Sequence, residues 1–191
     1  QLCAPAGGET VRATPFRRTS REACGTETFF RKVHFHGFAG AGLRDRLRLL
    51  LASPGSPARL ELAWNRVLAG LGLKVPEPVL LAEEGGRRGA SALVTRAVPG
   101  GVPLHRMEGR RLGGLAGPVA ALVAALHGQG LFHRDLYLDH LHLDGTGGLW
   151  LADLQRLIRP RLARERWRAK DLAALLHSSM GKVGRLAQAR F

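Results

Sequence analysis

The sequence predicts an α+β protein in two lobes, and three observations carry that expectation. Short runs of β-branched and aromatic residues surround one main helix in the first hundred positions. The rest of the chain is dominated by apolar helical stretches, with one Gly-rich hairpin among them. A Pro99-Gly-Gly turn separates the halves and sets the expected boundary near residues 98–103. That gives a small β-rich lobe with one main helix at 1–98 and a short, mostly helical lobe at 99–191. A length of 191 residues fits one domain or one small two-lobed unit. Hydrophobic residues at 45% against 23% charged are enough for a packed core and exclude wholesale disorder. No repeat at a fixed period is present.

In chain order, residues 1–12 contain Gly and Pro and predict no element. Residues 27–36, Glu-Thr-Phe-Phe-Arg-Lys-Val-His-Phe-His, predict a strand. Gly37 to Gly42 read as a flexible break, and 43–51 has helical period with Arg44 and Arg48 on its polar side. Ser53-Pro-Gly-Ser-Pro is a loop by its turn chemistry. A helix is expected from Pro57 to about Leu71, with Ser56 as N-cap, Pro57 in the first turn and Gly72 ending it. Strands are expected at 79–82 and 92–98. The densely apolar stretch 115–129 predicts a buried helix stopping at Gly128 or Gly130. Two short strands around Leu141-His-Leu and Leu149-Trp-Leu-Ala are joined by Gly145-Thr-Gly-Gly as a hairpin, and 168–178 reads as a last helix.

Charge narrows the function classes. Twenty-nine Lys and Arg against fifteen Asp and Glu give +14, a surface that attracts polyanions such as nucleic acid, lipid headgroups or phosphorylated glycans. An arginine-rich composition is also common in GC-rich genomes, so charge alone does not choose among them. The two cysteines, Cys3 and Cys24, have neither CxxC nor zinc spacing, which predicts free thiols in a reducing cytosol. No apolar run approaches the ~18 residues needed to span a bilayer, and the first residues do not resemble a signal peptide. The chain opens with Gln1 and not Met, which leaves both ends open to extension.

The sharpest chemical signal is His133-Arg134-Asp135, followed by His140 and then Asp153. A His-Arg-Asp triplet alone is weak and ordinarily marks a surface loop. Here a long apolar helix precedes it, a hairpin comes after it, and Asp153 stands eighteen residues beyond Asp135 at a strand end. Phosphoryl transfer needs few groups, mostly for positioning and charge neutralisation. One carboxylate orients the acceptor hydroxyl and takes its proton. A second holds Mg²⁺ on the phosphates of ATP. A lysine grips the α- and β-phosphates, and a glutamate holds the lysine. Asp135, Asp153, Lys32 and Glu61 can fill these places. Lys32 among strand residues is by itself ordinarily a solvated-face residue, and Glu61 an exposed helix charge; it is their pairing that suggests a role.

The segment Gly130-Leu-Phe-His-Arg-Asp-Leu-Tyr-Leu-Asp-His-Leu resembles the catalytic loop of lipopolysaccharide kinases, the heptose and Kdo kinases of the bacterial core. Leu151-Ala-Asp-Leu-Gln-Arg resembles their metal-binding segment, where protein kinases carry Asp-Phe-Gly. Arg166-Trp-Arg-Ala-Lys-Asp-Leu, followed by Ser178-Ser-Met, resembles a third block in the same order. The likeness covers roughly residues 28–180 and is specific in its second half. It implies a two-lobed protein-kinase-like fold and an ATP-dependent kinase acting on a sugar hydroxyl of the inner core. It also implies Asp135 as general base, His140 and Asp153 as Mg²⁺ ligands, and Lys32 and Glu61 as the pair that positions ATP. Thr95, Arg96 and Ala97 would form the hinge that meets adenine, and Asp171 would brace the catalytic loop. The sequence departs from the family at two places. Before Lys32 there is no clear Gly-rich phosphate loop, with Gly7-Gly8 the nearest candidate and Arg17-Arg-Thr-Ser filling the turn. Trp64 comes three residues after Glu61, where the family places a tryptophan directly after the glutamate.

The residues beyond Asp153 bear on the acceptor. Only seventeen residues separate Asp153 from Asp171 and no Ala-Pro-Glu motif occurs, which disfavours a platform for an extended peptide. Arg156, Arg159, Arg161, Arg164, Arg166, Arg168 and Lys170 against Glu165 give that stretch a net +6. Arginine forks suit the phosphates and carboxylates of lipid A and the inner core; a solvated basic helix face is the plainer reading. The 43–51 helix, with Arg44, Arg46 and Arg48 beside its leucines, could dock on an anionic leaflet or pack on the upper lobe. The expected partners are core glycolipid and an anionic inner-membrane surface, approached peripherally from the cytoplasm, with no nucleic acid and no defined oligomeric state. The alternatives are a small-molecule phosphotransferase of the same fold, a pseudokinase on anionic membrane, and a non-catalytic binding module for nucleic acid or anionic membrane.

Overall fold

The computed structural model describes residues 8–35, 55–84 and 89–184. The chain forms two compact units, Gln1–Val67 with Pro76–Ala97, and Leu68–Val75 with Val98–Phe191.

The first unit carries a five-stranded antiparallel sheet of β1 (Glu9–Thr14), β2 (Arg17–Cys24), β3 (Glu27–His34), β4 (Pro78–Glu83) and β5 (Ser91–Arg96), in the order β1-β2-β3-β5-β4. β1 was not expected from sequence, because all six of its residues are exposed and no alternation marks it. Its strand character comes from pairing with β2. β2 also corrects an expectation: Arg17 to Ser20 lie within the strand and do not fill the turn. The turn is Pro15-Phe16, closed where Thr14 Oγ1 accepts from the Arg17 N–H at 3.1 Å.

Helix α1 (Pro57–Gly70) starts and stops where the caps predict. Ser56 Oγ accepts the Arg59 N–H at 3.2 Å. Gly72 takes φ +77°, and its N–H and that of Leu73 reach back to the carbonyls of Ala69 and Leu68. The buried stripe of α1 is Ala58, Glu61, Asn65 and Leu68, a helical period in which two members are polar. Asn65 is satisfied by donating to the Pro76 carbonyl at 2.7 Å; Glu61 pairs with a lysine of the candidate site. The 43–51 helix and the 37–42 break lie outside the described residues, as do Cys3 and Gly7, while Cys24 is a free thiol.

The second unit holds α2 (Gly109–Gly113), α3 (Ala116–Gly128), α4 (Arg164–Ser179) and a small antiparallel sheet of β6 (Val102–Pro103), β7 (Leu141–Leu143) and β8 (Leu149–Leu151). Residues 109–128 are long and apolar enough to cross a membrane by length and composition alone, a test that core helices also pass. They form two helices with a turn at 114–115, and Leu112, Val119, Val123 and Leu126 are buried in the core. Burying each such side chain is worth about 1.5–3 kcal/mol. The Gly145-Thr-Gly-Gly hairpin forms as expected and is stapled by Asp144. That carboxylate accepts from Trp150 Nε1, Thr146 N–H and Oγ1, Gly148 N–H and Lys74 Nζ. These donors, the indole first, hold the Asp144 carboxyl well below the usual carboxylate range. α4 begins four residues before the expected start at Arg168, since Trp167 is buried within an otherwise charged first turn.

Candidate active site

In the first unit, β3 presents Lys32 at the register position between Thr19 of β2 and Leu93 of β5. Its Nζ lies 2.7 Å from Glu61 Oε1, with both side chains largely withdrawn from solvent. The other glutamate oxygen, Oε2, is buried and has no partner among the described residues. A buried carboxylate left half-satisfied is destabilising by itself, so the lysine is its principal compensation. Thr95 and Arg96 end β5 opposite Phe30 and Phe29. The Arg96 N–H is bonded to the Glu77 carbonyl and the Ala97 N–H to the Thr28 carbonyl, both at 2.8 Å. The backbone donors of these two residues are therefore committed to the sheet.

In the second unit, α3 ends at Gly128 and Gly130 takes φ +69°, turning the chain into the loop. Phe132, fully buried, exchanges two backbone hydrogen bonds with Ile158 at 2.9 and 3.0 Å, which clamps the loop's entry. Asp171 of α4 then holds the triplet from beneath. Its Oδ2 accepts the His133 N–H at 2.9 Å and its Oδ1 the Arg134 N–H at 2.6 Å, with His127 Nε2 at 3.0 Å from Oδ2. This brace lets Arg134 sit at φ +73°, a conformation L-residues rarely adopt. The Arg134 guanidinium stacks on Trp167 at 5.2 Å, and Arg166 approaches the same ring at 5.5 Å.

Three predicted residues come together around this loop. The Asp135 carbonyl accepts the Tyr137 N–H at 2.9 Å and lies 2.7 Å from His140 Nδ1. A carbonyl only accepts, so Nδ1 carries a proton. His140 Nε2 then faces Asp153 Oδ2 at 3.4 Å, and the His140 carbonyl accepts the Ala152 N–H at 2.8 Å. Asp153 has φ +58°, which turns the chain sharply at the end of β8. His133 points its Nε2 at the Ala152 carbonyl, 3.0 Å away. Burial, with His140 adding to it, pushes its imidazole below the ordinary value and keeps it neutral. His142 of β7 is likewise lowered to about 4, by burial and then by His140 and His105.

Two residues of the site carry no local sequence signal for the role they play. His127 meets Asp171 across forty-four positions. Arg156, read from sequence as one of a basic run, places Nη1 2.9 and 2.7 Å from the two Asp135 carboxylate oxygens.

A family model described as the lipopolysaccharide kinase (Kdo/WaaP) family matches residues 6–190. The chain belongs to the lipopolysaccharide kinase family. The lipopolysaccharide core heptose(I) kinase WaaP of Escherichia coli K12 is 29% identical over 196 residues, covering 91% of this chain and 71% of that protein. The protein of the same name from Pseudomonas aeruginosa is 31% identical over 193 residues, covering 91% and 70%. As a lipopolysaccharide kinase, the chain is a phosphotransferase acting on a sugar hydroxyl of the lipopolysaccharide core, with ATP as cosubstrate. Its mixed α+β architecture, β-rich at the N-terminal side and helical after it, accords with that family.

Proposed function

We propose that the chain phosphorylates a heptose or Kdo hydroxyl of the inner core, with Asp135 as the base that orients and deprotonates the acceptor. The observation that carries this reading is that His140 bridges the backbone carbonyl of Asp135, 2.7 Å from its Nδ1, and the Asp153 carboxylate, 3.4 Å from its Nε2. It brings a base and a candidate cation site together on one braced loop and its neighbouring strand end. The domain reading is a two-lobed protein-kinase-like fold divided into residues 1–98 and 99–191.

Mg²⁺ would be held by Asp153 and His140. Asp153 would offer the carboxylate oxygen that a hard cation takes, with His140 Nε2 3.4 Å from it. The ion supplies charge neutralisation on the phosphates. Lys32, fixed by Glu61, would grip the α- and β-phosphates as a point charge. Adenine would meet the end of β5 at Thr95, Arg96 and Ala97, where the N–H groups of Arg96 and Ala97 are already bonded to the Glu77 and Thr28 carbonyls. The acceptor is lipid-anchored and the chain carries +14, which supports peripheral work at an anionic inner-membrane surface on its cytoplasmic face.

The test is phosphate transfer from labelled ATP to purified core glycolipid. Asp135→Asn and Asp153→Asn are each expected to lower kcat by about 10³-fold or more, on the order found for removing a group that acts in the transition state. Circular dichroism should stay unchanged, since both side chains sit at the edge of the core. Undiminished transfer by either variant refutes its assigned role.

A further inference from the structure

We propose that Arg156 reads an anionic substituent on the acceptor sugar and, in the unliganded enzyme, caps the base. This rests on Asp135 being that base. Arg156 differs from the rest of the basic run. Arg159, Arg161, Arg164, Arg166 and Arg168 are all exposed, and Arg168 pairs with Glu165. Arg156 instead lies at the end of the turn that begins at Asp153, a 3₁₀ turn at Leu154–Arg156 closed by the Leu157 N–H on the Leu154 carbonyl at 3.0 Å. The turn aims it back at the catalytic loop. One guanidinium nitrogen sits between both oxygens of Asp135, where an acceptor hydroxyl would also donate.

A carboxylate so capped is screened from the hydroxyl it must receive. An acceptor carrying a carboxylate or phosphate beside its reacting hydroxyl offers the guanidinium an equivalent anion. Arg156 shifts onto that anion, the hydroxyl takes its place on Asp135, and the acceptor is aligned at both ends. The Arg156 side chain is 40% exposed, so an incoming anion can reach it. A neutral sugar offers the guanidinium no anion and draws the cap away less readily. The same residue thus disfavours neutral acceptors and favours acidic ones, a difference of affinities made at one position. Lipopolysaccharide core carries both carboxylates and phosphates, and the shared chemistry is an anion adjacent to the acceptor hydroxyl.

The experiment uses the full chain with three acceptors: native core glycolipid, carboxyl-reduced core and dephosphorylated core. Wild type should lose about tenfold or more in kcat/KM on whichever modified acceptor lacks the anion that is read, chiefly through KM. Which acceptor fails distinguishes carboxylate from phosphate. Arg156→Ala should lose about ten- to a hundredfold on native core and no longer discriminate among the three. Arg156→Lys, which keeps the charge without the fork, should recover part of the discrimination. Discrimination by Arg156→Ala equal to wild type, or no discrimination by wild type, overturns the proposal. Asp135→Asn is measured alongside: if it still turns over, the assignment of the base fails, while the Arg156 discrimination remains readable on its own.

Discussion

Asp171 offers the most direct test of how the catalytic loop is held. Its side chain has no solvent exposure and accepts two backbone N–H groups, from His133 at 2.9 Å and Arg134 at 2.6 Å, besides meeting His127. Asp171→Ala leaves both N–H groups buried without an acceptor, each worth about 1–3 kcal/mol. It also frees Arg134 from a left-handed conformation that holds about 1–3 kcal/mol of strain, which offsets part of the loss. The net expectation is about 2–4 kcal/mol. Asp171→Asn keeps one oxygen and should lose about half of that. With a urea m-value of about 2–3 kcal/mol/M, the alanine variant should shift its unfolding midpoint down by about 1–2 M. Hydrogen exchange localises the effect: the His133 and Arg134 amides should exchange about a hundredfold faster. Phosphate transfer should fall at least as far, because the loop carries Asp135. Unchanged exchange at these two amides in both variants would refute the bracing role.

Two more perturbations probe the nucleotide site and the small sheet. Lys32→Met should lower kcat/KM for ATP about a hundredfold, with Glu61→Gln milder, read from initial rates over a range of ATP concentrations; equal ATP dependence in Lys32→Met and wild type would remove the phosphate role. His142 has its folded pKa lowered to about 4 from 6.5, so the unfolded chain takes up its proton first. Its contribution is present above pH 6.5 and is lost as pH falls through 4, on the order of 3 kcal/mol in all. Urea melts between about pH 7 and 4 should therefore show wild type losing that much more stability than His142→Gln, and parallel curves would contradict it.

What was legible in the sequence was local. Ser56, Pro57 and Gly72 marked α1 because capping acts within a few residues of the helix it ends. Gly145-Thr-Gly-Gly marked the β7–β8 hairpin for the same reason, and the order Asp135, His140, Asp153 falls within nineteen positions on one loop and strand end. β1 was illegible because nothing in its exposed residues asks for a strand; its hydrogen bonds to β2 do. The 168 start for α4 was late because Trp167 is apolar alone among charges, and its burial depends on Arg134 and the loop above it.

The sequence by itself carried the family, through the blocks around His133-Arg134-Asp135, Asp153 and Asp171, and with it the class of chemistry. Only the tertiary structure decided which partners those groups take. Lys32 meets Glu61 across twenty-nine positions, Asp171 collects the His133 and Arg134 amides with His127, and Arg156 of the basic run turns onto Asp135. Hydrogen-bond partners are chosen by distance in space, and that distance is set by how sheets and helices pack rather than by separation along the chain.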